Sequence, residues 1–158
     1  MAAFSLGAFL SAGLGAIVST FGSEFVKRLL SRNDVLEQSR DADLSRICKE
    51  IVDLRKNAAD YWSKDAEALE ATDAVIAAHI VASQQVLADL VASMFHGRQE
   101  KWDCDVHMDA AFRTLTGGEF LSGDRKAEPQ RLSKAFVDLA RLERHAIEGR
   151  RSLPRKWP

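Results

Sequence analysis

The order of polar and apolar positions divides this chain into an uncharged leader and a series of amphipathic segments. No side chain from Met1 to Ser23 is charged, and the first that is, Glu24, follows directly. Residues 2–22 include Phe4, Leu6, Phe9, Leu10, Leu14, Ile17, Val18 and Phe21. At about 1.5 Å per residue, a helix of this length crosses the roughly 30 Å hydrocarbon layer of a bilayer. The leader therefore predicts an N-terminal transmembrane helix.

Within it Ala3, Gly7, Ser11, Gly15 and Ser19 recur four apart, and Ser23 continues the row. That spacing puts small residues along one edge, where two helix backbones can approach closely. In lipid such close packing drives association, and serines on the edge add hydrogen bonds. These residues form the expected oligomerisation face, and the protein is expected to be a homo-oligomer.

Lys27, Arg28 and Arg32 follow the apolar run, and no basic residue precedes it. The positive-inside bias makes them a cytoplasmic membrane flank. The expected location is the inner (plasma) membrane, single-pass, with the C-terminal part cytoplasmic. A secretory leader would need a basic stretch before the apolar one, and a surface-lying helix would need a charged face. The remaining rival is a soluble assembly in which residues 2–22 bury against a neighbouring chain.

The rest of the pattern is helical. No glycine or proline stands between Gly22 and Gly97, which favours helix across that interval. Asp34 with Glu37 forms a capping pair, so the leader helix is expected to end by about Leu30 and a second to start near Val35. The second carries a seam at Leu44, Ile47, Ile51, Leu54, Ala58 and Tyr61, alternating steps of three and four as coiled-coil-like packing requires. The seam is lost at 62–65, where a turn is expected with Ser63 as cap.

A third helix, 66–96, has apolar residues on two adjacent strips. Ile76, Ile80, Leu87, Leu90 and Met94 form one, and Val75, Ala82, Val86 and Ala92 the other. It is expected at the centre of a bundle. His79, Gln84, Gln85 and Asp89 argue against a second membrane span. Gly97 is expected to end it.

A fourth helix is read over 103–116 and a last over 129–148, with Pro129 in its first turn and Gly149 as its stop. No segment alternates with period two. The fold class is all-α: a membrane anchor over 1–32, an antiparallel bundle of about four helices over 33–149, and a basic extended tail over 150–158.

Charge changes the picture at the chain's end. The formal net charge is -1, but Arg150, Arg151, Arg155 and Lys156 close the sequence without an acid, so the body before them is distinctly acidic. An acidic body argues against nucleic acid as the main partner. The tail, with Leu153 and Trp157, has the composition for contact with anionic lipid. Cys48 and Cys104 form no CxxC pair, and reduced thiols are expected in a cytoplasmic domain.

The densest cluster of ligand types is Asp103, Cys104, Asp105, His107 and Asp109, with His96 just upstream. Asp103 and His107 share a helix face, as do Cys104 and His107. A zinc site needs about four convergent ligands, so each face holds half a site, and an acidic first turn favoured by the helix dipole explains the cluster as well. No metal or cofactor is therefore expected.

His79 and His145 could act as proton switches if buried beside a carboxylate, with Asp73 and Asp89 the nearest acids to His79 in sequence. Gly117-Gly118-Glu119-Phe120 shares letters with the five-residue diguanylate cyclase signature. One position is missing and the flanks are helical, so both glycines read as a helix stop and turn. No phosphate-binding loop, dinucleotide fingerprint or nucleophile elbow occurs.

The expected function is that of a membrane-anchored, self-associating interaction protein. Its cytoplasmic bundle would bind a partner or ligand, and in the sharper form it is a small membrane-perturbing effector rather than an enzyme.

Overall fold

A computed structural model describes residues 7–153, with side chains from residue 35 onward. The fold is all-α. Five helices run α1 Gly7–Trp62, α2 Ala66–Leu69, α3 Ala71–Met94, α4 Gln99–Thr116 and α5 Pro129–Ser152, with no strand among the described residues. Contacts divide the chain into two units, one of Met1–Ser39 with Pro154–Pro158 and one of Arg40–Leu153.

The second unit holds the core. The seam of α1 behaves as its spacing predicts: Ile47, Ile51, Leu54, Ala58 and Tyr61 are fully buried, and Leu44 packs at the margin. They meet Ala77, Ile80, Leu87 and Val91 of α3, Cys104, Ala111 and Leu115 of α4, and Ala135, Leu139, Leu142 and Ala146 of α5 in one cluster. α4 packs most extensively on α5 and next on α3. Ion pairs link α1 to α5 at Arg55–Glu143, 2.8 Å, and at Asp41–Arg150, 2.8 Å.

Several boundaries differ from the sequence reading. α1 does not break at 31–34. Ser, Arg, Asn and Asp each cost a helix interior only about 0.7 kcal/mol or less relative to alanine, too little to stop a helix that carries no Gly or Pro there. The 62–65 turn is present, but Ser63 is not the cap. Asp65 stands at the start of α2, and its carboxylate accepts instead from the Ala127 N–H at 2.8 Å and from Lys126 at 3.2 Å. Glu70, at φ 49°, then splits the expected third helix into α2 and α3.

Gly97, at φ 67°, lies in the turn after α3 as expected. α4 begins at Gln99 rather than 103, its first turn built from the good helix formers Gln99, Glu100 and Lys101.

Gly149 is not a stop. It lies inside α5, buried, where a Cβ would stand 3.0 Å from the Phe95 ring and 3.3 Å from Glu100 Cβ. The helix ends at Ser152, and Leu153 after it has the extended ψ of 123° that a residue before proline adopts. Arg150 and Arg151, expected in an extended tail, therefore belong to α5. Arg155 and Lys156 lie outside the described residues.

α3 is not the bundle's centre. One stripe, Ala77, Ile80, Leu87, Leu90, Val91 and Met94, is buried, whereas Val75, Val81 and Val86 are exposed. Among the described residues α3 is the one helix long and apolar enough to cross a membrane by length and composition, and only 28% of that stretch is buried.

The 117–128 loop is held by Arg125. Its fully buried guanidinium donates to the carbonyls of Tyr61, at 2.6 Å, and Lys64, at 2.7 Å, and pairs with Asp73. It also lies 3.8 Å from the centre of the Tyr61 ring. Trp62 Nε1 donates to Leu115 O at 3.1 Å, and the Tyr61 hydroxyl accepts from Leu121 N at 2.9 Å. Gly118, at φ 63°, leaves room for Arg131, which lies over the Trp62 ring and donates to Gly117 O. Gly117 and Gly118 are thus the helix stop and turn that the sequence implies.

Candidate functional site

A cluster of titratable side chains lies between α4 and α5. Helical periodicity places Asp103 and His107 one turn apart on α4, and His145 and Glu148 on neighbouring positions of α5. The glycine at 149 lets the helices close there, since the Phe95 ring occupies the space of its absent side chain. The result is a cleft of about 320 Å³ lined by Glu100, Asp103, His145, Glu148, Gly149 and Ser152.

Beside it the His107 and His145 rings stack, with centroids 4.2 Å apart and planes 15° from parallel. Desolvation lowers the His107 pKa, followed by the neighbouring His145 and Arg141, while Asp103 and Asp138 act in the opposite direction. Glu100 is held below its usual range first by the Ser152 hydroxyl, 2.7 Å from its Oε1. The site thus favours the ionised form of Glu100 and the neutral form of His107.

That geometry opposes a charge on His107, and the neighbouring thiol is no nucleophile. Cys104 is fully buried, and desolvation with the charges of Asp105 and Asp103 pushes its thiol up to about 12. At neutral pH it offers no thiolate. Among the described residues no group of three or more His, Cys, Asp or Glu side chains is placed to hold a metal ion.

A pH dependence follows. The His107 pKa in the fold is below that of the unfolded chain, so the unfolded chain binds the extra proton first as pH falls. His107's contribution is fully present above the ordinary histidine pKa of about 6.5 and is lost as pH falls through its lowered folded value. Thermal melts between neutral pH and pH 5 are expected to show a falling midpoint. His145→Phe keeps a ring on His107 and the desolvation that comes with it, and is expected to reduce that fall by the smaller share that His145 contributes. An unaltered slope in His145→Phe would mean that the pair does not couple to stability.

The sequence-based candidates distribute as follows. Gly7, Ser11, Gly15, Ser19, Lys27, Arg28 and Arg32 fall on the α1 backbone, but their side chains, like Ala3, lie outside the described residues. Of the 103–109 cluster, Asp103 lines the cleft, His107 stacks on His145 beside it, Cys104 faces the core, and Asp105 pairs with Lys101 at 2.5 Å. Asp109 pairs with Arg113 at 2.7 Å, and His96 is exposed in the turn after α3.

His79 is exposed rather than buried, and neither acid serves it. Asp73 pairs with Arg125, and Asp89 accepts from Gln85 at 3.1 Å. Of the aromatic side chains near helix ends, Trp102 is exposed, whereas Tyr61 and Trp62 are core. Arg150 is engaged by Asp41, and Arg151 is exposed on α5.

Sequence reasoning missed Glu100, Glu148 and Ser152. The i,i+3 pair His145 and Glu148 was the available signal. The approach of residue 107 to residue 145 left none, because nothing local specifies it.

No protein-family model, no curated protein and no solved structure matches this chain.

Proposed function

We propose that this is a membrane-anchored, self-associating helical protein. Residues 2–22 insert in the inner (plasma) membrane as a single-pass anchor with the C-terminal unit in the cytoplasm. Copies associate along Ala3, Gly7, Ser11, Gly15 and Ser19, and Lys27, Arg28 and Arg32 hold the cytoplasmic flank. The helical unit binds a partner or ligand, and the protein is not an enzyme.

The observation that carries this reading is the charge-free leader, Met1–Ser23. A helical backbone from Gly7 onward supports it, because a chain in hydrocarbon must satisfy its backbone polar groups internally.

The test compares the full chain with one lacking residues 1–23, in membrane fractionation and in a vesicle dye-leak assay. The full chain is expected in the membrane pellet, released only by detergent, and the shortened chain in the supernatant. Leakage with the full chain alone would support the effector form. Equal behaviour of the two in both assays overturns the reading.

Gly7→Leu with Gly15→Leu separates it from a soluble assembly. In lipid the pair is expected to dissociate oligomers while insertion persists. In a soluble core it would unfold the subunit.

A further inference from the structure

A cleft of about 430 Å³ opens where the end of α4, the Gly117–Gly118 turn and the start of α5 meet. That volume is in the range of small-molecule sites. Three cations line it, Arg113 from α4 and Arg131 and Lys134 from α5, against one carboxylate, Glu128. The lining therefore has two positive charges in excess, in a body that is acidic as a whole. Thr114 and Gln130 complete its polar wall, and among the described residues no aliphatic or aromatic side chain lines it.

The three cations are held differently. Arg131 is fixed: its guanidinium lies 4.3 Å from the centre of the Trp62 ring, Nη1 donates to Gly117 O, and Nε donates to Glu128 at 2.9 Å. Its Nη2 has no acceptor among the described residues, and it stands 2.5 Å from where a Cβ on Gly118 would be. Glycine at φ 63° thus keeps the turn clear of the guanidinium. Lys134 donates to Thr114 Oγ1 at 2.7 Å, with the nearly buried Asp138 carboxylate 3.5 Å away. Arg113 pairs with Asp109, but both side chains are largely exposed. An exposed pair of that kind contributes little, so Arg113 can exchange its partner for a ligand of higher charge.

The chemistry of the lining selects the ligand. An apolar molecule finds no surface here. A carboxylate carries one charge and leaves the second excess cation unmatched, whereas a phosphate monoester carries about -1.5 to -2 at neutral pH. Guanidinium forks match the geometry of its oxygens, and the uncapped positive end of α5 adds to the same sign. We propose that this cleft binds the phosphate group of a small molecule, held by Arg131 and Lys134 with Arg113 at the rim. The inference names the ligand class for the binding role proposed above, and it stands whether or not residues 2–22 anchor the chain.

The test is isothermal titration calorimetry on the full chain in a neutral detergent. The probes are inorganic pyrophosphate, glycerol 3-phosphate and a short-chain phosphatidate, with phosphatidylcholine of the same chain length as the control for partition into detergent. Circular dichroism verifies that each variant is folded.

The expected result is saturable one-to-one binding of a phosphate probe. Tighter binding of phosphatidate than of glycerol 3-phosphate assigns the group to a lipid, and the reverse assigns it to a soluble molecule; either supports the cleft. Arg113→Gln with Lys134→Gln is expected to weaken binding about tenfold or more, the worth of one hydrogen bond to a charged group. Glu128→Gln is expected to tighten it, because it removes the opposing charge. Lys49→Gln with Lys56→Gln makes the same change in net charge on exposed positions of α1 and is expected to leave binding as in the parent. No binding of any probe, undiminished binding in the Arg113 and Lys134 variant, or equal weakening in the α1 variant overturns the proposal. A chain that binds the probes but does not pellet with membranes overturns the anchor alone.

Discussion

Replacing Arg125 by methionine is expected to lower the unfolding free energy by about 3–5 kcal/mol, the cost of removing one member of a buried charged network. Methionine fills much of the volume, so the loss reports on polar groups rather than on a cavity. Without the guanidinium, the carbonyls of Tyr61 and Lys64 lose their donor, and the Asp73 carboxylate loses its counter-charge. The Tyr61 ring also loses the cation on its face.

Arg125→Lys is not expected to rescue. A single ammonium cannot reach two carbonyls and a carboxylate in the fork geometry that a guanidinium offers. Adding Asp73→Asn to Arg125→Met is expected to recover part of the loss, because it neutralises the stranded carboxylate. Urea unfolding followed by circular dichroism measures all three variants. A midpoint in Arg125→Met equal to that of the parent would show the cation to be dispensable.

Gly149→Leu is expected to destabilise by about 1–3 kcal/mol or more, as overpacking does in a close-packed interior. A bare Cβ would already stand 3.0 Å from the Phe95 ring, and Glu100 Cβ is 3.3 Å away on the other side. A leucine adds three further carbons, and backbone as well as ring must shift to admit them. Helix propensity acts in the opposite direction, since glycine in a helix interior costs about 1 kcal/mol relative to alanine, but it is the smaller term. Phe95→Ala opens the space, so Gly149→Leu made in that background should cost less than in the parent, and the double-mutant cycle measures the coupling. Additive effects would mean that the two residues do not compete for the same volume.

Much of the fold was legible because the signals are local. The alternation of three- and four-residue steps from Leu44 to Tyr61 identified the buried seam of α1 residue by residue, since helical period alone determines which side chains share a face. Gly97 and Gly117 marked turns correctly, for the same kind of local reason.

Gly149 looked identical in sequence and did something else. Whether a glycine ends a helix or admits a neighbour depends on what lies across from it, and Phe95 is distant along the chain. α3 failed in a related way. Its two apolar strips implied a central position, but composition does not tell how many of a helix's faces the rest of the chain can cover. The α4–α5 cleft was half visible. Asp103 and His107 stood out as a face, while His145 acquired meaning only once the fold had stacked it on His107.

The contacts around Arg125 also carry a consequence for the order of events in folding. Tyr61 and Arg125 are 64 positions apart, so bringing them together requires closing a long loop, an entropic cost met before any contact there repays it. The shorter loop between α4 and α5 closes more cheaply. The latch between residues 61–64 and 125 is therefore expected to form late, and a φ-value near zero for Arg125→Met would show it. Weakening it should then accelerate unfolding while the refolding rate stays near that of the parent, so that the Arg125 contacts would act on the lifetime of the folded state rather than on its formation.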